Sequence, residues 1–240
     1  MYSVGVDDGH GYNTPGKRTP NNYPENEFNH YTKEFLIKAL TRCGIKPIDC
    51  SPTREDNSLS DRCKIANYAS CDLFVSIHYN ALGNTWRDDI GGIETYYWSG
   101  PNNEAGKKFA TLIHNNLIQG TPLINRGVKS ADFYVLRETN MIAALCECGF
   151  MDNPKEAALM DSVDYRRECS EEICKGICQY LGVNYVAELP PQPVKSDRDV
   201  AIERMRQVSK WADKYIVHFD QLQKNNLNVY GLINKLWNHK

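Results

Sequence analysis

"VGVDDGHGYN", residues 4–13, sets a short apolar run directly against two carboxylates, a histidine and two flanking glycines. A run of that length suits one buried strand. Glycines let the backbone turn sharply and come close to whatever lies beside it. A histidine at a strand end is either a satisfied polar residue or a ligand. The reading therefore turns on whether other strands end in the same way.

Two others do. "FVSIHYN" (74–80) puts His78 at the end of an apolar run, and "ALCECGF" (144–150) puts Glu147 at the end of another. Side chains alternate along a strand, so Cys146 and Cys148 point away from Glu147. Further strand-like runs are "YSVGV" (2–6), "KPIDC" (46–50), "LFVSIH" (73–78), "GIETYYW" (92–98), "FYVL" (133–136) and "IAALCECGF" (142–150). Helical patterns fall between them at about 25–43, 59–70, 103–118 and 164–181. Strands alternating with helices predict an α/β fold: a twisted, mostly parallel or mixed sheet of about six strands flanked by helices. Ligands in such sheets gather beyond the carboxyl ends of the strands. His10, His78 and Glu147 all belong to that rim.

The helix beginning near "ENEF" offers two glutamates to the rim. Successive helical residues turn by about 100°. Glu25 falls on the apolar stripe with Phe28, Thr32, Phe35, Leu36, Ala39 and Leu40; Glu27 falls on the far side with Tyr31, Glu34 and Lys38. Glu25 is expected to reach inward and Glu27 to be solvated. Two histidines and one carboxylate suit a three-ligand zinc shell whose fourth position is left for water. A further carboxylate, Glu147, would then act as general base. Spacing alone leaves open whether these residues are structural or ligands.

Composition narrows the class. The chain has 240 residues, 41% hydrophobic and 24% charged, an ordinary globular balance. Its net charge of −2 argues against a nucleic-acid partner. No apolar run approaches the ~20 residues of a membrane span. Nine cysteines, an odd number without a CxxC pair, fall mostly at core-like positions and read as small buried hydrophobes. They suggest synthesis in a reducing compartment. No signal-peptide pattern opens the sequence.

The proline-rich "ELPPQPVK" (188–195) reads as a stiff spacer. The expected organisation is a catalytic domain at 1–185, a linker at 186–195 and a helical C-terminal module at 196–240. From Lys195 onward nine Lys/Arg face five Asp/Glu, a balance of +4 that leaves −6 for the rest. Ile202, Met205, Ala212, Tyr215, Ile216, Phe219 and Leu222 recur at helical spacing. The module is expected either to bind anionic polymers or to self-associate into a homo-oligomer through 198–238.

"VGVDDGHG", "ENEFN", "SPTREDNSLSDRCKIANYASCDLFVSIHYNA", "GGIETYYW", "RGVKSADFYVLRET" and "ALCECGFMDNP" follow one another as in the zinc-dependent N-acetylmuramoyl-L-alanine amidases. The resemblance spans about residues 2–181 and is of a bacteriophage endolysin kind. It implies Zn2+ held by His10, Glu25 and His78, with Glu147 catalytic. It further implies peptidoglycan as substrate, cut between N-acetylmuramic acid and L-alanine, for cell lysis. The family usually has proline before the Gly-His pair, where this chain has Asp8. An endolysin would be made in the host cytoplasm and act on the wall after release. A zinc peptidase cutting within the stem peptide and a non-catalytic wall-binding protein are the alternatives.

Other residues carry weaker expectations. Asn80 shares the side of His78 and could touch substrate or support a ligand. Arg126 and Arg137 could meet stem-peptide carboxylates or be solvated. Asp7 and Asp8 would cap a turn or orient His10. His30, His114, His218 and His239 read as surface or capping residues. Tyr96, Tyr97 and Trp98 would form either a sugar-contacting wall or strand core.

Overall fold

A computed structural model describes residues 1–188, 196–208, 219–222, 224, 228, 231 and 234. The chain divides into two compact units, Met1–Glu188 and Leu189–Lys240. In chain order the first unit contains β1 (Ser3–Asp8), α1 (Glu25–Arg42), β2 (Lys46–Asp49), α2 (Leu59–Tyr68), β3 (Leu73–Asn80) and β4 (Ile93–Trp98). Then come α3 (Glu104–Gly120), β5 (Asn125–Ala131), α4 (Tyr134–Arg137), β6 (Ile142–Phe150), α5 (Pro154–Met160) and α6 (Val163–Leu181).

The six strands form one sheet in the order β2-β1-β3-β6-β4-β5. All neighbours are parallel except β4 and β6, so the sheet is mixed. β1, β3 and β6 lie side by side in its middle, and all three run the same way. His10, His78 and Glu147 are thereby brought to one rim.

Each strand feeds both faces by alternation. Val4, Val6, Leu73, Val75, Ile77 and Tyr79 join the larger core, with Phe28, Leu36, Ala39 and Leu40 of α1 and Ile173 and Ile177 of α6. Phe74, Ala143 and Leu145 face the smaller core, closed by Cys63 and Ala66 of α2 and Val135 and Leu136 of α4. Gly5 sits where a Cβ would come within 3.0 Å of the Phe74 ring, so glycine lets β1 and β3 pair without crowding that smaller core.

Two elements differ from the sequence expectation. "FYVL" is the start of a short helix, α4, with the Phe133 carbonyl accepting from the Leu136 and Arg137 N–H groups. A four-residue apolar run has no period long enough to separate strand from helix. The fifth strand lies just before it, in the polar "NRGVKSA". As an edge strand it pairs only with β4, so one side escapes the burial that makes strands apolar.

In the second unit α7 spans Asp197–Val208, and Ala201 and Ile202 are buried. Pro190, Pro191 and Pro193, Ala212, Tyr215, Ile216, His218 and His239 lie outside the described residues, as does the side chain of Met205. No helix among the described residues is long and apolar enough to cross a membrane.

Candidate metal centre

Beyond Asp8 the chain turns through Gly9, His10 and Gly11. A Cβ on Gly9 would lie 2.0 Å from the His78 ring, and one on Gly11 would lie 2.1 Å from the Asp56 backbone. The glycines flanking His10 are therefore there for close approach. His10 itself adopts φ +61°, a left-handed conformation that costs a non-glycine residue roughly 1–3 kcal/mol. Its carbonyl is held by Arg62 Nη2 (3.0 Å) and Asn26 Nδ2 (3.2 Å), and the Gly9 N–H donates to the Ile77 carbonyl (2.8 Å).

Arg62 carries much of this turn and is absent from the sequence expectations. Only 1% exposed, it meets Asp7 Oδ1 at 2.5 Å and also donates to the Asp8 and Asn57 carbonyls. Asp7 accepts from Ser76 Oγ (2.6 Å) with its other oxygen. Asp8 instead meets Lys33 (3.1 Å) and His30 (2.9 Å). Neither aspartate caps a turn or bonds the His10 ring; they anchor a buried ion network beneath it. His30 belongs to that network, which corrects its surface reading. Its position four residues or fewer from Asn26, Asn29 and Lys33 on α1 was the available signal.

Glu25 opens α1 and is 2% exposed. Its Oε1 faces His78 Nδ1 (3.2 Å) and accepts from the Tyr79 N–H (3.0 Å) and Asn29 Nδ2 (3.1 Å). Its Oε2 faces His10 Nε2 at 3.5 Å. Burial by itself would raise this carboxyl's pKa. His10, His78 and the Tyr79 N–H overcome that and bring it down to about 2. Burial lowers His10 to about 4 against the pull of Glu25. For His78 burial also opposes charge, but bonding to Glu25 and the field of Glu147 leave its pKa raised. The two rings meet edge to face at 4.9 Å. Glu27 is half-buried against Arg54 rather than solvated.

One donor atom each from His10, Glu25 and His78 lies within 4.8 Å of the others. Zinc–nitrogen and zinc–oxygen bonds of about 2.0–2.1 Å separate tetrahedral donors by about 3.4 Å. Donors within 4.8 Å of one another need only a small inward adjustment to reach that spacing, so these residues fit a metal. Glu147 lies directly across from His78 in the β3–β6 register. Its Oε2 is buried without a hydrogen-bond partner. Burial, with Glu25 adding and His78 opposing, raises its pKa to about 8.

A cavity of about 360 Å³ opens beside these side chains, lined by Lys17, Asn80, Phe133 and Tyr134 among others. A second of about 260 Å³ shares His10, His78, Asn80 and Glu147 and extends past Leu82 and Gly83. Together they form a groove that borders the cluster. Asn80 Nδ2 donates to Glu94 Oε2 (3.1 Å) at its edge.

Glu94 is a second residue the sequence reading missed. It is 2% exposed, stands opposite Glu147 in the β4–β6 register, and accepts from Arg126 (2.7 Å), Lys129 and Tyr96. Burial opposes its charge, but these donors leave its pKa lowered. Arg126 is thus paired within the protein. Arg137 lies outside the cluster, paired with Asp132 (2.9 Å) and Glu138 (2.8 Å). His114, 2% exposed, bridges Thr95 (3.1 Å) and Asn125 (2.8 Å) and is a core strut, not a surface residue. Tyr97 packs with the larger core and Tyr96 and Trp98 with the smaller, so alternation prevents a three-residue wall.

Residues 4–179 match the family described as N-acetylmuramoyl-L-alanine amidase. The sporulation-specific N-acetylmuramoyl-L-alanine amidase of Bacillus subtilis (strain 168) is 30% identical over 184 residues, 75% of this chain and 68% of that protein. The endolysin of Bacillus phage SPP1 is 35% identical over 130 residues, 52% of this chain and 46% of that protein. The crystal structure of N-acetylmuramoyl-L-alanine amidase from Clostridium difficile 630 superposes with TM-score 0.71 at 32% identity, covering 76% of this chain and 97% of that one. The family is metal-dependent, in keeping with the converging donors. The chain belongs to the N-acetylmuramoyl-L-alanine amidases, enzymes that act on peptidoglycan in cell-wall lysis.

Proposed function

We propose that this amidase uses Zn2+ held by His10, Glu25 and His78 and moves protons through Glu147. The observation that carries the reading is the pairing of a three-donor cluster with a partnerless carboxylate oxygen on the adjoining strand. When bound, zinc polarises a carbonyl and lowers the pKa of water toward about 7.

The chain's own residues account for the rest. Glu25 is fixed by the Tyr79 N–H and Asn29, so its two oxygens face the two imidazoles without searching for a rotamer. Arg62 and Asn26 clamp the His10 carbonyl and hold its ring toward Glu25. Glu147 Oε2 accepts the proton of the attacking water at the carbonyl between the lactyl group and L-alanine. It then returns that proton to the leaving nitrogen of L-alanine. Burial suits it to both steps, because it retains a proton more readily than a surface carboxylate. Asn80, on the same edge as His78, contributes to the groove that receives the substrate.

Digestion of purified peptidoglycan by the full chain tests this. Mass spectrometry should find free stem peptides beginning with L-alanine, with release lost on chelation and restored by Zn2+. Stem peptides cut internally and still attached to glycan would refute the bond assignment.

The same reading has the enzyme made in a host cytoplasm and reaching the wall after release; nine free thiols, all buried, suit synthesis under reducing conditions. The +4 tail is proposed to hold the enzyme on anionic wall polymers. Removing residues after Pro193 should abolish sedimentation with walls and leave the oligomeric state unchanged. A change in oligomeric mass would assign 198–238 to self-association instead.

A further inference from the structure

Among the described residues, only two groups of three or more metal-ligating side chains converge: the one above, and Cys43, Cys174 and Cys178. The second lies at the other end of α1. Glu25 is the first residue of that helix and Cys43 follows its last, about 27 Å away at 1.5 Å per residue. The two groups therefore share a helix but no residue.

Local structure explains why three of the nine thiols meet here. Cys43 caps the carboxyl end of α1. Cys174 and Cys178 are one turn apart on α6 and share a face. Gly182, at φ +66°, ends α6 in a left-handed cap. The chain then runs back to Val186, whose N–H donates to Cys43 Sγ at 3.3 Å. Arg42 Nε secures the Val186 carbonyl at 2.7 Å.

We propose that Cys43, Cys174 and Cys178 form a second metal site, a closed structural centre for a thiophilic cation, with Cu+ the best match. The three sulfurs lie within 4.8 Å of one another, and Cys43 and Cys174 are 3.8 Å apart. Metal–sulfur bonds of about 2.3 Å place the sulfurs of a three-coordinate ion about 4.0 Å apart, close to that approach. Exposures of 7%, 0% and 1% exclude water, which marks the centre as structural rather than catalytic. No histidine or carboxylate joins the three sulfurs in the group. An all-thiolate set selects soft ions, and three ligands without a fourth favour Cu+ over Zn2+. An N–H donated to a ligating sulfur, as Val186 supplies, is the kind of outer contact that steadies a bound thiolate. The ion would tie α1, α6 and the Val183–Val186 segment together just before the amidase unit ends.

The test is a Cu+ titration of the full chain, saturated with Zn2+, under anaerobic reducing conditions. One equivalent should bind with an ultraviolet sulfur-to-metal charge-transfer band, raise Tm, and leave the zinc content unchanged. Cys174→Ser and Cys178→Ser should lose both the band and the Tm rise, whereas Cys50→Ser, a buried thiol outside the group, should keep both. No uptake by the folded wild type, or an undiminished band in Cys174→Ser, overturns the proposal. Should the serine variants fail to fold, the wild type still decides: a Tm unmoved by Cu+ sinks it.

Discussion

Asp7 and Glu147 both stand near the end of a central strand, with β3 between them, yet only one is fully partnered. Asp7 bonds Arg62 with one oxygen and Ser76 with the other. Glu147 keeps Oε2 buried and unmatched. Glu25 is intermediate, with Oε1 fixed by Tyr79 and Asn29 while Oε2 faces only His10. The contrast separates scaffold from chemistry. A carboxylate bonded through both oxygens locks geometry, whereas one held in low dielectric beside a donor cluster with an oxygen unbonded is available to take a proton. The network below the rim is what allows the rim to stay incomplete.

The strongest way to break this contrast is at its open end. Glu147→Gln should retain metal and wall binding but lose turnover by about 10²–10⁴-fold, measured as stem-peptide release. Retained turnover would remove Glu147 from proton transfer and erase the distinction. Metal analysis sharpens the middle case: Glu25→Ala should release the ion, while Glu27→Ala, which removes only the partner of half-exposed Arg54, should keep it.

Next in size is the closed end. Arg62→Ala strands Asp7 as a buried unpaired charge and should destabilise the fold by about 3–5 kcal/mol in urea unfolding. A loss below about 1 kcal/mol would mean that the network is not what holds the His10 turn.

The last test is a pH trend in the metal-free protein. The folded pKa of Glu147 is raised to about 8 from its ordinary 4.5. Its contribution to stability is thus complete below about 4.5 and is lost as pH rises through about 8. Relative to wild type, Glu147→Gln should gain Tm progressively across that window. A constant difference between the two would show that Glu147 titrates as an ordinary surface carboxylate.

Much of the rim was legible beforehand because it rests on local periodicities. An apolar run ending in histidine or glutamate marks a strand end, and a 100° turn per residue separates Glu25 from Glu27. The structure bears out the inward face of Glu25. Arg62 and Glu94 were not legible, because nothing in a helix face or a strand alternation says which distant carboxylate or cation will meet them. Arg62 finds Asp7 across 55 residues, and Glu94 finds Arg126 and Lys129 on a strand that itself escaped notice. "FYVL" failed for a related reason: four apolar residues suit either element, and the packing of Val135 and Leu136 onto the smaller core decided for helix.

By itself, then, the sequence determined an α/β sheet whose central strands end in histidine and glutamate side chains, since short-range pattern suffices for that. Only the tertiary structure decided which charges are satisfied and which are left open. It also decided that Cys43 meets Cys174 and Cys178, more than 130 residues further along the chain. Those outcomes depend on distances between residues far apart in the chain, and such distances exist only once the layers have packed.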